Sequence, residues 1–185
     1  MVNILGLNTG YLTSDKNDNE LYSPFYIVDH IAKYLPKNKV IWCPFDEEWS
    51  AFYRRLKELG FTVIRSSLAE GQDFFTYKPE QWDIIVSNPP FSVKDSVLQR
   101  LYSFNKPFAI LLPLNSLQGK SRFKYFLDGI QLLSFDARVC YHDKKHMDKV
   151  VKGSPFATAY FCKDVLPKDL IVEKLNTYER SLLDV

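Results

Sequence analysis

The chain lacks the residues that mark several common protein classes. Its three cysteines, Cys43, Cys140 and Cys162, are an odd number at unrelated spacings, which argues against a disulfide framework and for a reducing, cytoplasmic setting. No run approaches the ~18 apolar residues of a membrane span. The start Met1-Val2-Asn3-Ile4-Leu5-Gly6 has neither the charged region nor the long apolar stretch of a signal peptide. No Gly-x-x-x-x-Gly-Lys-Ser/Thr loop occurs, so nothing supports a nucleoside triphosphatase. Neither sign of charge dominates: 24 Lys and Arg against 22 Asp and Glu leave a net +2, so any nucleic-acid affinity has to come from a local patch. Disorder is excluded by composition, because 46% hydrophobic and 25% charged residues are ordinary for a globular protein.

Aromatic residues, by contrast, are abundant at 15%, with 14 Phe and 11 Tyr; most of these rings are expected in the core, leaving a few to stack on a planar ligand. With 185 residues the chain can bury one sizeable core, so residues 1–185 are expected to form a single domain with the polar stretch 1–20 as a loose arm. Helix periodicity predicts helices near Pro24 to Leu35, Trp49 to Leu59, Val93 to Ser103 and Phe123 to Leu127, and an amphipathic final helix from about Lys168 to Leu182. Strands are predicted at Val40 to Cys43, Phe61 to Ile64, Asp83 to Ser87, Phe108 to Leu112, Gln131 to Phe135 and Pro155 to Cys162. Strands alternating with helices imply crossover connections, hence an α/β fold of three layers around a mostly parallel sheet.

Asn88-Pro89-Pro90-Phe91, directly after the strand Asp83 to Ser87, is the most informative segment. It lies at a strand's carboxyl end, where open α/β sheets bind ligands. An exocyclic amine conjugated to a ring is a poor nucleophile, and it improves when two acceptors hold its hydrogens and free the nitrogen lone pair. The Asn88 side-chain oxygen and the Pro89 carbonyl supply two such acceptors. Two prolines fix φ and remove both N–H donors, giving a stiff turn that presents carbonyls, and Phe91 offers a face for stacking. The plainer reading is a rigid Asn-Pro turn leading into the next helix.

This motif resembles the signature of the S-adenosylmethionine-dependent amino-methyltransferases of the N6-adenine type, which Asn88 to Phe91 matches without substitution; a weaker likeness extends over about residues 20 to 165. The resemblance implies a Rossmann-like methyltransferase sheet, mostly parallel with an antiparallel late strand. It also implies S-adenosylmethionine as cofactor and methyl transfer to an amine, with Asn88 and Pro89 positioning the nitrogen, Pro90 stiffening the turn and Phe91 stacking on the base. The expected substrate is adenine N6 in DNA or RNA. Guanine N2 in ribosomal RNA, a glutamine amide in protein, or a non-catalytic binding module stand as alternatives. So short a chain leaves little room for a separate target-recognition domain, so a protein partner that reads the target is a further expectation.

The same resemblance marks cofactor residues. Ser23-Pro24 looks like the family's Thr-Pro element near the methionine end, although Ser-Pro is also an ordinary helix start. Cys43-Pro44-Phe45-Asp46 keeps the Pro-Phe of the family's first strand exit but loses its glycines, and Asp46 is the candidate partner for the cofactor's ammonium group. Alternatively, Asp46, Glu47 and Glu48 enrich a helix N-terminus in negative charge, with Ser50 as the cap. The second strand ends in Arg65-Ser66-Ser67, without the carboxylate that commonly takes ribose hydroxyls, so Ser66 is left as a weaker partner. Asp73 and Phe74 resemble the segment that holds the cofactor's adenine; otherwise Asp73 caps a turn and Phe74 fills core. Arg138, Lys144 and Lys145, with Lys149 and Lys152, form a basic loop between late strands suited to phosphates, or simply a solvated surface. Phe156 is a candidate second aromatic wall for the target base. Cys140, His142 and His146 do not make a convincing metal site, and none is expected.

Overall fold

The computed structural model of the chain describes residues 21–154 and 156–184; the expected arm, residues 1–20, lies outside the described residues, as does Pro155. In chain order the elements are β1 (Leu21–Tyr22), α1 (Phe25–Ala32), β2 (Val40–Cys43), α2 (Ala51–Glu58), β3 (Thr62–Arg65), β4 (Ile84–Ser87) and α3 (Lys94–Ser103). They continue with β5 (Phe108–Pro113), α4 (Lys120–Phe126), β6 (Gln131–Phe135), β7 (Tyr141–Asp143), β8 (His146–Val151), β9 (Thr158–Lys163) and β10 (Leu170–Glu173).

The adjacent parallel strands β2, β4 and β5, all inside the sheet, read as continuous apolar runs because both of their faces are covered. Ile41, Cys43, Ile84, Val86, Ala109 and Leu111 point to one core, shared with Ile27 and Ile31 of α1 and Phe52 and Leu56 of α2. Their alternates Trp42, Ile85, Phe108 and Ile110 point to the other, shared with Val97, Leu98 and Leu101 of α3. The seven-stranded sheet has the order β10-β6-β9-β5-β4-β2-β3. Only β9 runs antiparallel, against both β5 and β6, and the remaining pairs are parallel. This is the expected Rossmann-like α/β sandwich, with the antiparallel late strand in place.

Local chemistry sets the ends of the helices. Gly60 adopts φ 82° after α2, and the N–H groups of Phe61 and Gly60 return to the carbonyls of Leu56 and Lys57, a helix stop that favours glycine because its φ is positive. Among the described residues no helix is long and apolar enough to cross a membrane.

Two expectations fail. The predicted final helix is absent: Leu170–Glu173 is a strand parallel to β6, and residues 174–180 have no regular structure. Tertiary contacts override the helical period here. Glu173 reaches α1, where its carboxylate accepts from Lys33 Nζ at 2.9 Å and Tyr34 Oη at 2.6 Å and meets His30 Nδ1 at 2.6 Å. Beyond it the chain runs over α1 and α2, with Tyr178 bonded to Asp29 and Arg180 to Glu58, and buries Leu182. The basic segment after Arg138 is likewise not a loop but the hairpin β7–β8, which joins β1 in a separate antiparallel sheet of order β1-β7-β8.

Candidate active site at the strand ends

Strand β3 lies to one side of β2 and β4 to the other, so the chain reverses its direction of progress across the sheet between β2 and β4. The crevice outside the carboxyl ends at such a reversal is where α/β sheets hold ligands. A cavity of about 50 Å³ occupies this place, with Ser23, Phe45, Asp46, Trp49 and Asn88 in its lining. Three sequence segments picked out separately, Ser23-Pro24, Pro44-Phe45-Asp46 and Asn88 to Phe91, therefore converge.

Asn88 leaves β4 with its amide N–H group donating to the Leu21 carbonyl at 3.2 Å. Its side-chain oxygen is buried without a protein partner. The Ser23 hydroxyl is in the same condition. Buried polar atoms are nearly always paired, so an acceptor and a hydroxyl left without a protein partner at the strand ends leave two hydrogen-bonding positions for water or a ligand. Pro89 is buried and Pro90 exposed; the Pro90 carbonyl accepts from Val93 N–H at 3.2 Å, which starts the turn into α3. The Phe91 ring meets Phe156 edge-on with centroids 5.4 Å apart, so these two candidate residues stand together.

Asp46 is the electrostatic centre of the site. It is 5% exposed and accepts from the Ser87 hydroxyl at 2.6 Å, one residue before Asn88. Burial pushes its carboxyl from the ordinary 3.8 up to about 7, against the hydrogen bonds from Ser87 and Ser50; Glu47 adds a small upward push and Arg65 a small downward one. A buried carboxyl held only by hydroxyls is poised for a cationic or donor-rich ligand. Ser50 stands at the α2 N-cap position, where its carbonyl accepts from Arg54 N–H at 3.1 Å but its side chain makes no capping bond. Instead its oxygen accepts from Glu47 N–H at 2.8 Å, so the turn after β2 is fixed by side chains where the resembled family uses glycines. Glu48 pairs with Arg65.

Other predicted residues are placed differently. Ser66 is fully buried and its hydroxyl accepts from Trp42 Nε1 at 2.9 Å, so it serves the core and not a ligand. Asp73 accepts from Phe75 N–H at 2.9 Å through its carboxylate and from Thr76 and Tyr77 through its carbonyl, the turn-capping role. Phe74 is 2% exposed, packed between Trp42 and Phe45 with centroid distances of 5.6 and 4.8 Å; it backs Phe45. No strand forms among the described residues between β3 and β4.

Lys144 and Lys145 are exposed at the β7–β8 turn, which Asp143 fixes by accepting from the N–H groups of Lys145 and His146, each at 2.8 Å. The strand register sets Asp143 opposite Leu21, whose carbonyl holds Asn88, so the basic turn stands beside the site. Arg138, also exposed, donates to the Ser154 carbonyl at 3.2 Å and steadies the segment that carries Phe156. Gly119-Lys120-Ser121, the tail of a phosphate loop without its leading glycine because position 114 is Leu, forms the start of α4, with the Arg122 guanidinium folded over Gly119.

Sequence reasoning missed Ser87, Trp49 and the Leu21 carbonyl. Ser87 carried a signal, a lone hydroxyl closing an otherwise apolar buried strand. Trp49 and Leu21 carried none, because they enter through tertiary contacts: Trp49 packs edge-on to Tyr22 at 4.8 Å.

No protein-family model matches the chain, and no curated protein matches it. Among solved structures it is similar to a dimethyladenosine transferase from Plasmodium falciparum, at 10% identity and a TM-score of 0.47 over 77% of this chain. The chain spans 62% of that protein's length. It is also similar to a Listeria monocytogenes protein assigned to the class I S-adenosylmethionine-dependent methyltransferases, at 13% identity and a TM-score of 0.46, over 97% of this chain and 72% of that one.

Proposed function

We propose that the chain is an S-adenosylmethionine-dependent methyltransferase acting on an exocyclic amine, adenine N6 in DNA or RNA. The observation that carries this reading is the unpartnered, buried side-chain oxygen of Asn88 at the reversal point of the sheet, in an Asn-Pro-Pro-Phe turn. That oxygen is set to accept one amine hydrogen and the Pro89 carbonyl the other, so the nitrogen lone pair turns away from the ring toward the methyl group. Phe91 and Phe156 stack and wall the base.

The residues present fit the cofactor's methionine end. Asp46 is a buried carboxyl with no ion-pair partner among the described residues, matched to an ammonium group, and the Ser23 hydroxyl is open beside it. S-adenosylmethionine, when bound, supplies an electrophilic methyl group. Phe45 lines that end, with Phe74 supporting it from behind, while Pro24 and Pro44 are buried neighbours of Ser23 and Phe45 outside the cavity lining. Asp73 keeps its turn in place.

Nucleic acid is the proposed partner. Lys144 and Lys145 would take phosphates next to the site, and Arg138 contributes charge while holding the Phe156 segment. A duplex base is out of reach of such a site, so the target is flipped out or already single-stranded. A protein partner supplying target recognition is part of this proposal.

Calorimetric titration with S-adenosylmethionine and S-adenosylhomocysteine, followed by methyl-transfer assays on DNA, RNA and protein, tests the reading. Asn88→Ala should lower turnover by about 10²-fold or more while S-adenosylhomocysteine affinity stays within about twofold, because the lost acceptor acts mainly in the transition state. Full methylation by that variant would remove Asn88 from the mechanism.

A further inference from the structure

Strand β3 runs out into Arg65-Ser66-Ser67, with no carboxylate of its own. The exposed Glu70 and Glu48 pair with Arg65 at 2.7 and 3.2 Å, and one Asp73 carboxylate oxygen accepts from Phe75 N–H in its own turn. Ser66 is consumed by Trp42. Two other polar atoms at the same exit are nevertheless buried and open: the Ser67 hydroxyl, on a residue 4% exposed, and the Gln72 side-chain oxygen.

The backbone holds these two residues together. Gln72 N–H donates to the Ser67 carbonyl at 3.0 Å, closing a six-residue loop. The closure depends on Gly71 at φ 75°, a conformation that glycine adopts without strain. The loop adjoins the cavity wall, because Asp46 N–H donates to the Ser66 carbonyl at 3.3 Å and Phe45 packs on Phe74 two residues beyond Gln72. Along this end of the sheet β3 and β4 are separated by β2 alone. At ~4.8 Å per strand spacing, the Ser67 and Asn88 exits stand about 10 Å apart. One elongated ligand can span that distance.

We infer that Ser67 and Gln72 form a binding site for the ribose diol of a nucleoside cofactor, a neutral hydroxyl and amide doing the work that a carboxylate commonly does at this strand exit. The inference rests on the cofactor proposed above. A ribose hydroxyl is both donor and acceptor: one donates to Gln72 Oε1, which only accepts, and its neighbour bonds the Ser67 hydroxyl in either sense. The diol then satisfies both open atoms, and the methyl-donor end extends across β2 toward Ser23, Asp46 and Asn88.

The experiment is calorimetric titration of the full chain, Ser67→Ala and Gln72→Ala with S-adenosylhomocysteine and its 2′-deoxy and 3′-deoxy analogues, alongside thermal melts without ligand. Each substitution should weaken S-adenosylhomocysteine binding by about 3- to 10-fold, the range of one neutral hydrogen bond. Each variant should lose little further affinity for the analogue lacking its hydroxyl partner, a non-additivity that a distant structural effect does not give. Ser67→Ala should melt no lower than the parent chain, since it removes an unpartnered buried hydroxyl. Variants that bind S-adenosylhomocysteine as tightly as the parent would overturn the ribose site alone. A parent chain that binds neither S-adenosylmethionine nor S-adenosylhomocysteine would remove the cofactor reading and this inference with it.

Discussion

Replacing Asp46 by asparagine tests whether the carboxyl at the centre of the site is held in a state its burial dictates. The side chain is 5% exposed and its carboxyl is raised from 3.8 to about 7. Between those values the folded chain keeps a proton that the unfolded chain has released. Stability therefore falls as pH rises through the window, and the full penalty is present above about pH 7. About three units at 1.36 kcal/mol each set its size at roughly 4 kcal/mol. In Asp46→Asn the amide oxygen would accept the Ser87 hydrogen bond as the carboxyl does but the side chain would not titrate. Urea denaturation of both chains at pH 5, 6, 7 and 8 isolates the effect, because the other groups titrate alike in both and cancel. From pH 5 to pH 8 the variant should gain roughly 2 to 3 kcal/mol relative to the parent, most of it before pH 7. Parallel pH profiles would refute the reasoning, since they require a carboxyl that ionises in its ordinary range.

Two further outcomes follow from the rest of the structure. Burial of Glu173 opposes its ionisation, yet the bonds from Lys33, Tyr34 and His30 outweigh it and hold the carboxyl down to about 2. Glu173→Gln should therefore cost about 2–3 kcal/mol in urea melts at pH 7, and the difference should shrink as pH falls from 4.5 toward 2, where the parent loses the same charge. At the hairpin, Lys144→Ala combined with Lys145→Ala should weaken binding to a single-stranded oligonucleotide and reduce the salt slope of log K by about 1.4, at ~0.7 per phosphate contact; an unchanged slope would take the hairpin out of the proposed nucleic-acid surface.

How far the sequence revealed the site depended on how local each determinant is. The tetrapeptide Asn88 to Phe91 was legible because its chemistry is in its own four residues and its strand is an unbroken apolar run. The meeting of Ser23, Asp46 and Asn88 was legible only through the family likeness, since it depends on β2, β4 and the start of α1 sharing one end of the sheet. Periodicity misread residues 168–182, because an apolar residue every three or four positions also describes a strand followed by a chain laid over α1 and α2. There the decisive facts are partners far away in sequence, such as Glu173 with His30 and Arg180 with Glu58. Ser66 and Ser67 show the same limit at the scale of one residue: equivalent on paper, one is consumed by Trp42 and the other left open.

The turn after β2 shows how a chain without glycines there can still hold a fixed shape beside the cavity. Glycine serves such turns by letting backbone approach a ligand closely. Here Ser50 takes the Glu47 N–H, Ser66 ties both Cys43 and Asp46 through its backbone, and Asp46 is anchored by Ser87. The turn is thus fixed by its neighbours, and it presents a buried carboxyl where a glycine turn would present N–H groups. The polarity of that end is inverted. A site built this way favours the ammonium end of an amino-acid moiety over its carboxylate, so a fragment series should bind in that order: decarboxylated S-adenosylhomocysteine close to the parent ligand, and the deaminated analogue far weaker. The reverse order would mean that Asp46 does not face the ligand.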